Sequence, residues 1–378
     1  MSQPAAELSE AWIEPDAVWP RGGEVAAYQL IDVRAPVEVA KSQLPDAVTL
    51  PILDDGERQQ VGACYHQQGS EAAFELAIAL TAPVRSERVA GWRQACEAAD
   101  RPTAMTCWRG GDRSKVARQW LGDAAVPRVR GGAKELRRFL LASLEQRMAE
   151  QQLLVVAGLT GAGKTDALHA IQAAQYDDLH VLDLEGLAHH RGSVFGGRNE
   201  PQPAQASFEN ELALSLHLTP ASVTVVEDEA RNVGRLLQPQ CMWRRVQHAP
   251  VAVLEAPLAE RIERIAREYA IEPARTRPRR DVREGLEAAL QKLRKRLGPV
   301  ASKQCLELLA AADRDDHWHS VAAHEPWIRL LLEGYYDKHY AYALESSERD
   351  IPFRGTLPEL LEWLGSGGLK RTSRAAST

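Results

Sequence analysis

The chain has 378 residues, enough for two or three domains at about 100–200 residues each. It is 44% hydrophobic and 26% charged, and no window approaches the roughly 20 apolar residues of a spanning helix. Wholesale disorder and an integral membrane protein are therefore excluded, and a net charge of −6 argues at face value against a nucleic-acid partner.

The net charge conceals a partition. Residues 101–147 and 261–303 each carry +7, and the remaining 288 residues sum to −20. The first twenty residues are acidic and lack an apolar secretory stretch. Five cysteines, Cys64, Cys96, Cys107, Cys241 and Cys305, form no CxxC pair. The expected setting is a reduced cytoplasm, with neither a disulfide framework nor a cysteine zinc ribbon.

Along the chain, an apolar run at Tyr28–Ile31 closed by Asp32-Val33-Arg34 predicts a strand. Helical stretches follow at Glu71–Leu80 and Glu87–Ala98, then a strand at Thr103–Thr106, a Gly-rich turn and a helix at Ser114–Leu121. Strands alternating with helices predict a parallel sheet. Leu136–Gln151 has the composition of a connecting helix. A second α/β unit opens at Leu153–Ala157, with strands expected at His180–Leu184, Val223–Val226 and Val251–Leu254. From Leu258 to about Leu297 the pattern is helical and Arg-rich, broken by Pro273 and Pro278. Trp327–Leu364 predicts amphipathic helices, and the Gly/Ser-containing end from Gly365 a flexible tail.

Gly158-Leu159-Thr160-Gly161-Ala162-Gly163-Lys164-Thr165 matches G-x-x-x-x-G-K-[ST] between a strand and a helix, the context this phosphate-binding motif requires. Gly158, Gly161 and Gly163 let backbone N–H groups turn inward around phosphate oxygens, and the helix N-terminus adds partial positive charge. Lys164 is expected to neutralise the terminal phosphate, and Thr165 to hold Mg²⁺ if a metal is used. The accompanying acid is either Asp183 or the Glu227-Asp228 pair at a strand end. The motif specifies a held phosphate or diphosphate, not hydrolysis of a nucleotide.

Cys107 ends a strand and is followed by Trp108-Arg109-Gly110-Gly111-Asp112-Arg113-Ser114 and a helix. Loop amides, the helix terminus, Arg109 and Arg113 together favour a thiolate nucleophile able to carry sulfur, selenium or a phosphoryl group. Cys96, inside a helical stretch, is expected to be a structural cysteine. His189-His190 and His317-x-His319 make poor chelating sets, so no metal site is expected.

Leu30–Glu38 (LIDVRAPVE) and Leu44–Pro51 (LPDAVTLP), with Cys107 in the persulfide position, resemble the rhodanese domain. The loop departs from the usual single-domain rhodanese in having five residues between Cys107 and Arg113. That is the spacing of the Cys-based phosphatases, which usually place His before the cysteine where this chain has Thr106. A rhodanese-like unit ahead of a P-loop unit resembles the tRNA 2-selenouridine synthase family. So do the stretches 61–69, 183–196, 205–210, 227–234 and 335–340. Asp112 stands where that family is expected to have an apolar or small residue.

The resemblance implies an α/β protein with a rhodanese-like domain (12–133), a connecting helix (134–151) and a P-loop NTPase-like parallel-sheet domain (152–257). A helical, partly basic extension (258–364) and a flexible tail (365–378) complete it. It implies conversion of wobble 2-thiouridine to 2-selenouridine, by S-geranylation with geranyl diphosphate and then selenium transfer from selenophosphate through Cys107. The P-loop would grip the diphosphate, and Arg109 and Arg113 would hold the selenophosphate. No tightly bound cofactor is implied; the partners are the tRNA anticodon arm and a selenophosphate source, with no membrane. Trp108, His189, His190 and Arg191 are expected substrate contacts. Arg275, Arg277, Arg279, Arg280, Lys292, Arg294, Lys295 and Arg296 are expected tRNA contacts. The alternative is a Cys-based phosphatase or sulfurtransferase fused to a nucleotide-binding module.

Overall fold

The structure, a computed structural model, describes residues 10–23, 25–197, 200–314, 317–345 and 347–369. The chain divides into two compact units, one running to Glu150 and including Pro203–Pro220, the other Gln151–Gln202 and Ala221 onward.

The first unit is built on a parallel sheet of β1 (Trp12–Ile13), β2 (Gln29–Asp32), β3 (Ala47–Thr49), β4 (Thr103–Thr106) and β5 (Arg128–Val129), in the order β1-β5-β4-β2-β3. The central strands are apolar because both faces are covered: Leu30, Ile31, Ala104 and Met105 are all buried. Trp92, on the helix Arg85–Ala98, is fully buried and its indole N–H donates to Leu50 O at 2.9 Å. The helix Asp55–Gln68, which the sequence pattern does not announce, buries none of its residues. It starts on a reciprocal cap, Asp54 accepting from Glu57 N and Glu57 from Asp54 N.

The helix Gly132–Glu150, expected from 134 as a connector, packs within this unit against the helix Gln205–Leu218. The latter lies in sequence inside the expected P-loop domain. It is tied to the first unit by polar contacts: Asn210 donates to Gln43 O at 2.7 Å, and Arg137 to Asn210 Oδ1 at 2.8 Å.

In the second unit a five-stranded parallel sheet runs β12-β11-β6-β8-β7. Its strands are β6 (Gln152–Gly158), β7 (Leu179–Leu182), β8 (Val223–Glu227), β11 (Val251–Leu254) and β12 (Phe353–Gly355); β9 (Asn232–Val233) and β10 (Leu236–Leu237) form a hairpin. The strand expected to reach Leu184 stops at Leu182, because Asp183 accepts from Gly186 N at 2.7 Å and caps a short helix. β12 falls in a stretch expected to be wholly helical.

The helical part of this unit packs around Ile262, Leu290, Trp318 and Trp327. Pro273 opens a short helix and Pro278 precedes the helix Arg279–Leu297, so the expected breaks coincide with helix starts. Two π-helical segments occur among the described residues, Arg267–Ile271 and Leu332–Tyr336. Of the expected tail, residues 370–378 lie outside the described residues; Gly365 ends the helix Leu357–Gly365 and Leu369 packs on the sheet core. No helix among the described residues is long and apolar enough to cross a membrane.

Candidate functional site

In the first unit, β4 delivers Cys107 to a loop that closes on the helix Asp112–Leu121. The Cys107 side chain is buried, with Sγ 3.3 Å from Ser114 Oγ. The loop is held from beneath. Ala133 N donates to Cys107 O at 2.8 Å and Lys134 N to Trp108 O at 3.0 Å, so the first turn of the helix Gly132–Glu150 takes up the loop's carbonyls. Gly132 makes this approach feasible: its φ is +63°, and a Cβ there would lie 2.2 Å from Cys107 O. Meanwhile the N–H groups of residues 108–112 make no hydrogen bond among the described residues. Carbonyls bound below and amides left unbonded make a cradle for an anion.

Arg113 sits beside this cradle in a two-point ion pair with Glu38, whose Oε1 accepts from Nη2 at 3.1 Å. Burial opposes ionisation of Glu38, but the hydrogen bond and charge of Arg113 outweigh it and hold the carboxyl below its usual range. Arg113 is raised in return, Glu38 outweighing the effect of burial. Arg109 is exposed and makes no hydrogen bond or ion pair among the described residues. Trp108 is 37% exposed, with the buried Arg34 guanidinium 5.9 Å from its ring centroid. Arg34 is locked to Asp32 at 2.6–3.0 Å, which accounts for the DVR sequence as a structural clamp.

In the second unit the phosphate loop leaves β6 and enters the helix Lys164–Ala173 through Gly163, whose φ is +92°. Its outward-facing carbonyls are engaged by a helix that the motif does not include. Arg261 donates to Thr160 O at 2.9 Å and Arg264 to Gly161 O, while Asp337 and Asp166 hold the two guanidinium groups. Lys164 makes no ion pair among the described residues and lines a cleft of about 880 Å³. The Thr165 hydroxyl faces Glu185, at 3.3 Å, rather than either of the expected acids. Asp183 caps its own turn and Asp228 is paired with Arg349 at 3.0 and 3.1 Å. Glu227 lies buried in the cleft wall and accepts from Glu185 N at 2.8 Å. Burial first, then the charge of Asp183, pushes the Glu227 carboxyl well above its usual range. Glu229, on the same wall, is pushed up to about 8 by burial, against the opposing pull of Lys164 and with Glu185 adding to the rise.

Comparison with known proteins follows the same residues. A family model described as the tRNA 2-selenouridine synthase AAA domain matches residues 151–370. The chain is 42% identical to the tRNA 2-selenouridine synthase of Hahella chejuensis, over 86% of this chain and 88% of that protein. It is 40% identical to that of Cupriavidus pinatubonensis, over 89% and 94%, and 39% identical to that of Cupriavidus necator, over 93% and 98%. The chain belongs to the tRNA 2-selenouridine synthase family.

For a tRNA 2-selenouridine synthase the basic stretch after the P-loop is of direct interest, and the structure divides its cations. Arg275, Arg279 and Arg280 are engaged with Glu272, Asp313 and Glu284. Lys292, Arg294, Lys295 and Arg296 are exposed at the end of the helix Arg279–Leu297 and make no ion pair among the described residues. Arg277 and Arg191 line the cleft, Arg191 being paired with Glu268 at 2.5 Å. His189 lies at φ +48° with Nδ1 3.3 Å from Pro201 O, and His190 forms an isolated bridge with Gly197. Neither histidine lines the cleft with Lys164.

Sequence reasoning did not single out Glu38, Ser114, Gly132, Glu185, Glu229, Arg261 or Arg264. Five of these had a signal: Glu38, Glu185 and Glu229 lie inside family-like stretches, and Arg261 and Arg264 share one helix face at a spacing of three. Gly132 is visible only as half of a Gly-Gly pair.

Proposed function

We propose that the chain converts 2-thiouridine at the tRNA wobble position to 2-selenouridine in two steps run by the two loops. In the first, the thiouridine sulfur attacks the allylic carbon of geranyl diphosphate, diphosphate leaves, and the base loses its N3 proton. The phosphate loop and Lys164 take up charge on the departing diphosphate. Thr165 and Glu185 form an oxygen-donor pair suited to a hard cation, so they would hold a Mg²⁺ that neutralises the same charge. In the second step the Cys107 thiolate, in a rhodanese-like unit, attacks the phosphorus of selenophosphate, so the P–Se bond breaks and hydrogen selenide ion is released at its original oxidation level. That selenium attacks C2, the C2–S bond breaks and geranylthiolate leaves, the selenide proton passes to N3, and water hydrolyses the phosphocysteine to free Cys107 and phosphate. The unbonded amides of residues 108–112, with Arg109 and Arg113, receive the selenophosphate oxygens. Trp108 offers an exposed face on which a splayed base of the anticodon arm can stack. The unpaired cations Lys292–Arg296 supply phosphate contacts.

The observation that carries this reading is the pairing, in one chain of this family, of a cradled cysteine with an intact phosphate loop whose carbonyls are tied back. The test is incubation with a 2-thiouridine anticodon stem-loop, geranyl diphosphate and selenophosphate, with nucleosides analysed by mass spectrometry. Cys107→Ser is expected to accumulate the geranylated nucleoside without selenation, and Lys164→Ala to block geranylation. Turnover of an aryl phosphate with no modified nucleoside would overturn the reading.

A further inference from the structure

Next to the phosphate-loop cleft lies a second, smaller cavity of about 30 Å³, within the same unit. Its walls are Phe195, Ile265, Trp327, Ile328, Leu331 and Leu332. Thr160, Ser193, Tyr269 and Tyr336 border both spaces, so the slot opens onto the cleft through a mouth of two hydroxyls and two phenol rings. Phe195 forms the link between them, its ring 6.1 Å from that of Tyr269 and 6.3 Å from that of Trp327.

Two further observations single the slot out from ordinary core packing. Both π-helical segments among the described residues contribute to it, Tyr269 from Arg267–Ile271 and Leu332 with Tyr336 from Leu332–Tyr336. Such turns are rare and lie frequently at functional sites. In addition, the Tyr336 hydroxyl is buried without a hydrogen-bond partner at the mouth, where it adjoins the phosphate-loop cleft. A buried hydroxyl in this state is one that a bound group or a water can satisfy.

From this arrangement we infer that the slot is the subsite for the hydrocarbon tail of a diphosphate ester whose charged end rests in the phosphate loop. The inference builds on the proposed diphosphate role of that loop and adds where the tail goes. A nucleotide base is a poor occupant, because its ring nitrogens would meet the aliphatic and aromatic walls unpaired, at a cost that buried polar groups do not recover. A hydrocarbon chain leaves nothing unpaired and gains from each carbon removed from water. Since the slot now has room for about one water molecule, the tail enters as Phe195 and Tyr336 turn aside; both are only partly buried.

Binding of geranyl diphosphate and of inorganic pyrophosphate to the full chain, measured by calorimetry, separates the two claims. Wild type is expected to bind geranyl diphosphate at least about tenfold more tightly than pyrophosphate. Leu331→Trp, which fills the slot, is expected to abolish that advantage and leave pyrophosphate binding unchanged, which also reports that the unit is folded. Phe195→Ala, on a loop, widens the slot and is expected to shift preference toward farnesyl diphosphate. Equal affinities for the two ligands in wild type, or an undiminished advantage in a folded Leu331→Trp together with an unchanged chain-length preference in Phe195→Ala, would overturn the inference. ATP binding as tightly as geranyl diphosphate and equally sensitive to Leu331→Trp would overturn it in favour of a base-binding slot. If neither geranyl diphosphate nor pyrophosphate binds, the reading of the phosphate loop fails first and the slot assignment falls with it.

Discussion

Two carboxylates set the electrostatics of the two loops, in opposite senses. Glu38 is held ionised by Arg113, so it fixes the guanidinium beside the cysteine cradle while cancelling part of its charge. Glu38→Ala is therefore expected to let Arg113 move and to slow selenation by about tenfold, through lost positioning, while geranylation is unchanged. Mass spectrometry of the two products from one reaction distinguishes this from general unfolding, which would lower both. Glu229 behaves the other way. With its carboxyl raised to about 8 it is mostly neutral at pH 7, and it gains a negative charge beside Lys164 as the pH rises through that value. Diphosphate affinity is accordingly expected to fall above pH 8, and Glu229→Gln to remove that fall; calorimetric titrations at pH 7 and 9 check both.

Elements, rather than single side chains, explain how the loops keep their shape. A helix N-terminus holds the cysteine loop from below, and the helix Leu258–Ala266 holds the phosphate loop through Arg261 and Arg264. Gly132→Ala would force a Cβ into Cys107 O at a left-handed φ, so a loss of about 1–3 kcal/mol is expected, with the cysteine loop displaced. Chemical denaturation, together with the rate of Cys107 alkylation, measures both effects. The same comparison shows what the sequence could and could not convey. The phosphate loop was legible because its motif is local: glycines, Lys164 and Thr165 are all within eight residues of one another. The strands β2, β4, β6, β7, β8 and β11 were legible as short apolar runs, whereas β1, β3 and β5, of two or three residues each, were not. Glu185 was not, since its approach to Thr165 depends on the turn that Asp183 caps, a tertiary consequence of where β7 stops. β12 was hidden because three residues, Phe353-Arg354-Gly355, carry no periodicity and become a strand only by pairing with β11. The helix Gln205–Leu218 was assigned by chain order to the P-loop unit; its packing on the helix Gly132–Glu150 and the contacts of Ser207 and Asn210 with Gln43 reveal its partner.

At the scale of the whole chain, the figure of −6 is a poor guide to nucleic-acid binding, and the ion pairs explain which part of its positive content is available. Arg275, Arg279, Arg280 and Arg283 already have carboxylate partners, so engaging a phosphate would require breaking a pair for little net gain. Lys292, Arg294, Lys295 and Arg296 have none among the described residues, and they cluster at a helix C-terminus where extra cations are tolerated. If these four meet the tRNA backbone, each phosphate contact contributes about 0.7–0.9 to the slope of log K against log salt. The combined Lys292→Gln, Arg294→Gln, Lys295→Gln variant is expected to lower that slope by about 2–3 for an anticodon-arm RNA. Arg280→Gln is expected to leave it within error. Filter binding across a series of KCl concentrations gives the slopes directly. An equal change in both variants would mean that the ion pairs do not decide which cations reach the RNA, and an unchanged slope in the triple variant would move the tRNA surface to the basic stretch at 101–147.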